Sequence, residues 1–159
     1  MATNFLNAPG TNGFIATPFA LMGTTDLASL ASATGITSTA TALTQTSFAN
    51  AVWCQVFFTA LGAFTPAAGG YFAGWWLNSE NGGANFERVP NTTTIDIPRS
   101  PDFVIPMANI ATVSGDRIWA PGLIKTPFGS AKLFFKNYTG GALSTGNHTV
   151  TACPVAIQY

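Results

Sequence analysis

Few residues in this chain could do chemistry. Its one histidine, His148, stands in Gly-Asn-His-Thr ahead of an apolar run. A zinc site would then need cysteines and carboxylates, and these show no ligand spacing. His148 therefore reads as a surface or turn residue. Asp96, Asp102 and Asp116 could supply the paired carboxylates of a glycosidase, which stand roughly 5 or 9 Å apart. Each stands within two residues of Pro, Gly, Arg or Ser in turn-like sequence, and reads as a solvated loop acid. No G-x-S-x-G elbow, P-loop, G-x-G-x-x-G or EF-hand loop occurs. Cys54 and Cys153 lie far apart in apolar runs and read as small hydrophobes, with a disulfide between them left open. Asn91, Asn137 and Asn147 each begin an Asn-x-Thr triplet, which in a Thr-rich chain without a visible export signal reads as coincidence. What remains is the chemistry of aromatics. Trp75 and Trp76 are adjacent, so on a strand one indole points inward and the other outward, needing a partner or a flanking loop.

The elements that would carry these residues are strands. Gly and Pro number 16 and 10 and punctuate apolar runs of strand length throughout. The expected strands are 14–21, 37–43, 51–61, 71–78, 86–89, 92–97, 103–105, 117–120, 131–138 and 148–157. In 131–138, Ala131, Leu133 and Phe135 share one face, and Lys132 and Lys136 share the other, as in a sheet with a wet outer side. In 51–61, Val52, Cys54, Val56 and Phe58 line one face and Trp53 and Phe57 the other, so both faces need cover. Ser79-Glu80-Asn81-Gly82-Gly83, Tyr138-Thr139-Gly140-Gly141 and Ser144-Thr145-Gly146-Asn147 suit tight antiparallel turns. Pro98, Pro101 and Pro106 place the segment between Ile97 and Met107 at an edge or in a crossing loop. One short helix is expected, capped by Thr25 or Asp26 and stopped by Gly35.

Composition narrows the partners. The 159 residues carry six Lys plus Arg and six Asp plus Glu, for zero formal charge, and only 8% are charged. A soluble domain usually has roughly 25%. The chain lacks the basic footprint that nucleic acid or an anionic membrane would require. Its longest apolar stretch, 48–64, is interrupted by polar residues and falls short of the roughly 18–20 residues of a membrane helix. The start lacks the features of a signal peptide, so synthesis in a cytoplasm is the expectation. Interface cores are depleted of charge and enriched in aromatics, and a low-charge chain is consistent with a surface that faces other protein. Before Glu80 the only charged side chain is Asp26.

Four segments, in order, carry a resemblance: GGYFAGWWLNSENGGANFE (Gly69 to Glu87), RSPDFVIP (Arg99 to Pro106), RIWAPGLIKTPFGSAKLFFKNYTGGAL (Arg117 to Leu143) and STGNHTVTACPVAIQY (Ser144 to Tyr159). A Gly-Trp strand leads to a Ser-x-x-Gly-Gly turn, then Pro-Asp-Phe, a Trp-Ala-x-Gly strand and a final Asn-x-Thr-Gly hairpin. This series resembles small structural proteins of tailed bacteriophages, in particular capsid decoration, or cement, proteins built on a jelly roll. From Gly69 to Tyr159 it spans a little over half the chain; the first half agrees only in Leu-Ala-Ser-Leu-Ala and Phe64-Thr65-Pro66. The resemblance implies a virion protein on the capsid surface, with the major capsid protein and further copies of itself as partners.

The expected architecture is therefore an all-β, jelly-roll-like antiparallel sandwich with one short helix. Residues 1–25 form an extended N-terminal arm and 26–159 a single domain. Neither enzyme activity nor any metal or cofactor is expected, and neither is a nucleic-acid or membrane partner. The interface candidates are Phe5, Leu6, Phe14, Ile15, Phe19 and Leu21 of the arm, with Trp53, Phe57, Trp75, Trp76 and Trp119. The alternative is a phage tail or fibre domain, or a lectin-like jelly roll, holding a host glycan on Trp75, Trp76 or Trp119.

Overall fold

The computed structural model describes residues 17–87, 92–93, 97–107 and 114–155. Ten strands follow in chain order: β1 (Phe19–Ala20), β2 (Gly35–Thr37), β3 (Trp53–Thr59), β4 (Tyr71–Asn78), β5 (Thr92–Thr93), β6 (Phe103–Pro106), β7 (Arg117–Trp119), β8 (Ile124–Lys125), β9 (Ala131–Tyr138) and β10 (Thr149–Val155). They form two antiparallel sheets. The first runs β1-β10-β3-β7, with β8 also on β3, and the second runs β5-β2-β9-β4-β6. β4 and β9 pair along their whole length, from Tyr71 opposite Tyr138 to Asn78 opposite Ala131.

The alternation of apolar residues dictates how the sheets face. Val56 and Phe58 of β3 and Val150 and Ala152 of β10 point toward Phe72 and Trp76 of β4 and Leu133 and Phe135 of β9, all buried in one cluster. Each large side chain so buried contributes about 1.5–3 kcal/mol relative to exposure. The ring of Phe72 lies 4.7 Å from Phe58 and 5.1 Å from Phe135, tying the sheets together. Gly74 is required at its place in β4, because a Cβ there would collide with the ring of Phe103.

The outer side of the second sheet is not wet. Ala73, Trp75, Leu77 and Phe134 are buried there with Ile97, and Phe86 packs against them. Lys136, expected in solvent, is 1% exposed, with its ammonium 4.8 Å from the centre of the Tyr138 ring. The physical reason is that Phe86 and Ile97, from the connection between β4 and β6, pack over this face. Arg99 fastens it: its guanidinium donates to the Trp76 carbonyl at 2.7 Å and pairs with Asp102 at 2.9 Å and Glu87 at 3.3 Å. Asp102 in turn accepts the Trp76 N–H at 2.7 Å, extending the β4–β6 ladder with a side chain.

The expected helix is replaced by turns, and no helix occurs among the described residues. Bonds from Ala28 N to Thr25 O and from Leu30 N to Leu27 O span three residues, and Ser29 and Ala33 have φ of 56° and 61°, in the left-handed region that ends a helix. Asp26 caps no helix. Its carboxylate accepts Gly23 N at 2.6 Å, Thr39 N at 2.9 Å and Thr39 Oγ1 at 2.6 Å, and so joins the turn to the chain after β2. Leu27 and Leu30 still enter the core.

The described end of the arm is likewise part of the sandwich. β1 pairs with β10, Phe19 packs on the core, and Leu21 and Met22 are buried. The strand expected over 86–89 is reduced, where described, to a bridge between Phe86 and Ser79. β8 was not expected, and β6 is an edge strand as its prolines require. No helix of the described residues is long and apolar enough to cross a membrane.

Candidate functional site

Sequence candidates for polar chemistry fall into structural roles. His148 is fully buried. Its Nδ1 accepts the Leu61 N–H at 3.2 Å, so Nε2 carries the proton and donates to Ser144 Oγ at 2.9 Å. The ring stacks on Phe58 at 5.5 Å. Burial lowers its pKa below the ordinary 6.5, only partly offset by Ser144. Below pH 6.5 the unfolded chain therefore binds more protons than the folded one, and stability is expected to fall as pH drops through that range. The slope from this group is at most about 1.4 kcal/mol per pH unit. Urea midpoints between pH 7.5 and 5 check this; His148→Gln should flatten the step, and an unchanged slope would show that other groups cause it.

Asn137, first residue of an Asn-x-Thr triplet, is also fully buried. Its amide donates to Leu30 O at 3.0 Å and Gly141 O at 2.9 Å, and its Oδ1 accepts Thr139 N at 2.9 Å and Thr139 Oγ1 at 2.7 Å. Asn147 is exposed, and Asn91 and Asp96 lie outside the described residues. Cys54 and Cys153 are free, buried thiols. Cys153 sits opposite Gln55, one residue out of phase with Cys54, so the two face opposite sides of the sheet. Burial pushes the Cys54 thiol up to about 12.

Among the described residues, no group of three or more His, Cys, Asp or Glu is placed to hold a metal. An open cleft of about 670 Å³ lies beyond the end of β4, lined by Asn78, Glu80, Asn81, Asn85, Phe86 and Glu87. Glu87 is held by Arg99, and Asn81 Oδ1 accepts Asn85 N at 2.8 Å.

The aromatic candidates separate into three groups. Trp76 and Leu21 belong to the core; the Trp76 indole donates to Lys125 O at 3.1 Å. Trp75 is buried on the opposite side of β4, donating to Arg99 O at 3.0 Å, so the flanking chain is its cover. Phe5, Leu6, Phe14 and Ile15 lie outside the described residues. The third group converges. Register places Trp53, Phe57, Thr151, Val155 and Trp119 on the outer face of the first sheet. Trp53 and Val155 are half-buried, and Phe57 is nearly buried beneath Trp119, ring centres 4.4 Å apart. Trp119 itself is 41% exposed.

No protein-family model matches this chain, and no curated protein or solved structure matches it either. Its surface must therefore be read from its own residues. The aromatic face continues past the sequence candidates to Phe128, which is 72% exposed. Arg117 lies over the Phe57 ring at 5.6 Å, and the Lys125 ammonium over Phe128 at 4.8 Å. Phe128, in Thr-Pro-Phe-Gly, carries no periodicity that would mark it as exposed. The face offers flat aromatic area edged by cations, suited to holding a surface rather than to transferring a group.

Proposed function

We infer that this protein is a jelly-roll structural protein of a tailed-phage virion that binds the outer surface of the capsid and stabilises the shell. The pairing supports the jelly-roll part: β1 pairs with β10, β2 with β9, β3 with β7 and β8, and β4 with β6. First with last, second with next to last, is the nesting of a long hairpin rolled into two sheets, with β5 an added edge. The observation that carries the functional part is the contrast between outer faces. One is covered by the chain itself, whereas the other keeps Trp119 and Phe128 exposed. A monomer gains nothing from such a patch, and an interface does.

Binding only to the assembled lattice lowers the free energy of the intact shell by linkage, and this requires neither catalysis nor a cofactor. A tail, fibre or lectin-like domain stacking a sugar on Trp119 is the second reading, drawing on the same exposed indole. Purified protein added to particles lacking it is expected to bind in many copies over the shell. Binding in a few copies at the tail would favour the second reading, and no binding to particles would overturn the first.

A further inference from the structure

We propose that the outer face of the first sheet is built for a foreign protein surface, apolar at its centre and bearing carboxylates toward its rim, and that the same charges bar this face from a second copy of itself. The proposal rests on the docking role argued above and supplies the chemistry of the partner. Arg117 stands opposite Thr59 and Lys125 opposite Trp53, at the two ends of β3. At about 3.3 Å per residue, the two cations flank the aromatic stripe about 20 Å apart. Both residues are exposed, and each lies over a ring of the patch.

No acid among the described residues answers them. Both ion pairs found there belong to Arg99. Asp26 and Asp102 are taken up by backbone and neighbouring side chains, and Glu80 and Glu87 line the cleft beyond β4 in the other sheet. Asp116 precedes β7, out of phase with the outward-facing Arg117 and Trp119. Outside the described residues the sequence holds one acid, Asp96.

A two-fold pairing of this face with itself sets each Arg117 against either the other Arg117 or Lys125. Both arrangements bring like charges together while removing them from water, which opposes self-association of an otherwise adhesive patch. A partner with carboxylates at those positions turns the same two charges into attraction. Partner choice therefore lies in the rim and adhesion in the rings.

The probe is the protein itself carrying Arg117→Glu and Lys125→Glu, which keeps the apolar face and makes its rim acidic. Mixed with unaltered protein, this variant is expected to associate at least tenfold more tightly than either does with itself, as read by sedimentation velocity. The advantage should vanish at about half-molar salt and in mixtures whose members carry Trp119→Ala. Arg117→Glu alone makes the face self-complementary in antiparallel pairing, and should dimerise where the unaltered protein does not. The proposal is overturned if mixtures sediment as the sum of their components. It is equally overturned if unaltered protein self-associates as tightly as the mixture and loses that association with Trp119→Ala. Neither result involves a particle, so failure here is distinct from failure of shell binding.

Discussion

Replacing Trp76 by Ala is expected to lower the free energy of unfolding by about 3–5 kcal/mol, whereas the same change at Trp119 costs the fold only about 1 kcal/mol. Trp76 is 3% exposed. Its ring meets Phe48 at 5.9 Å and Phe103 at 5.8 Å, and its indole N–H is satisfied by Lys125 O. Truncation empties the centre of the sandwich and leaves that carbonyl short of a donor. Trp119 contributes chiefly its contact with Phe57, so its loss should appear in binding, at about 2 kcal/mol or roughly thirtyfold. Urea unfolding of both variants, followed by a binding titration of Trp119→Ala, separates the roles. Equal losses of stability would contradict the assignment of one indole to the core and the other to the surface.

Asn137→Ala is expected to cost about 3 kcal/mol. It removes four hydrogen bonds at once from a site with no access to water, among them the one that satisfies the Thr139 N–H. Leu30 O keeps the Leu143 N–H and Gly141 O keeps Thr139 Oγ1, which bounds the loss. Asn137→Asp should be worse, since it turns two donors into acceptors facing carbonyls and buries a charge. A loss below about 1 kcal/mol for Asn137→Ala in chemical denaturation would mean that this corner is held by its backbone alone.

Strands β4 and β9 have the bounds their sequences suggest, because each is an eight-residue, largely apolar run set between glycine-bearing turns. The helix misleads because what decides its fate is distant: Asp26 bonds Thr39, thirteen residues on, which no local capping rule contains. Lys136 lies on the side of β9 that period two assigns, but whether that side meets water depends on residues outside the strand, Phe86 and Ile97, packing over it. His148 fails for a similar reason, since its burial comes from Phe58 and Phe64, more than eighty residues earlier. Trp75 and Trp76 are opposed across β4 as the dipeptide implies. That one is covered by chain, the other by core, and Trp119 by neither, follows from packing that spacing does not encode.

Titration of purified protein onto particles that lack it, imaged at low resolution across a range of salt, tests the central claim most directly. The account predicts density in many copies on the outside of the shell, with the first sheet's aromatic face toward it. Two cations on an otherwise uncharged contact should let the affinity change by about tenfold or less between low salt and roughly half-molar salt. Density confined to the tail, no density at all, or a steep loss with salt together with normal binding by Trp119→Ala would contradict it.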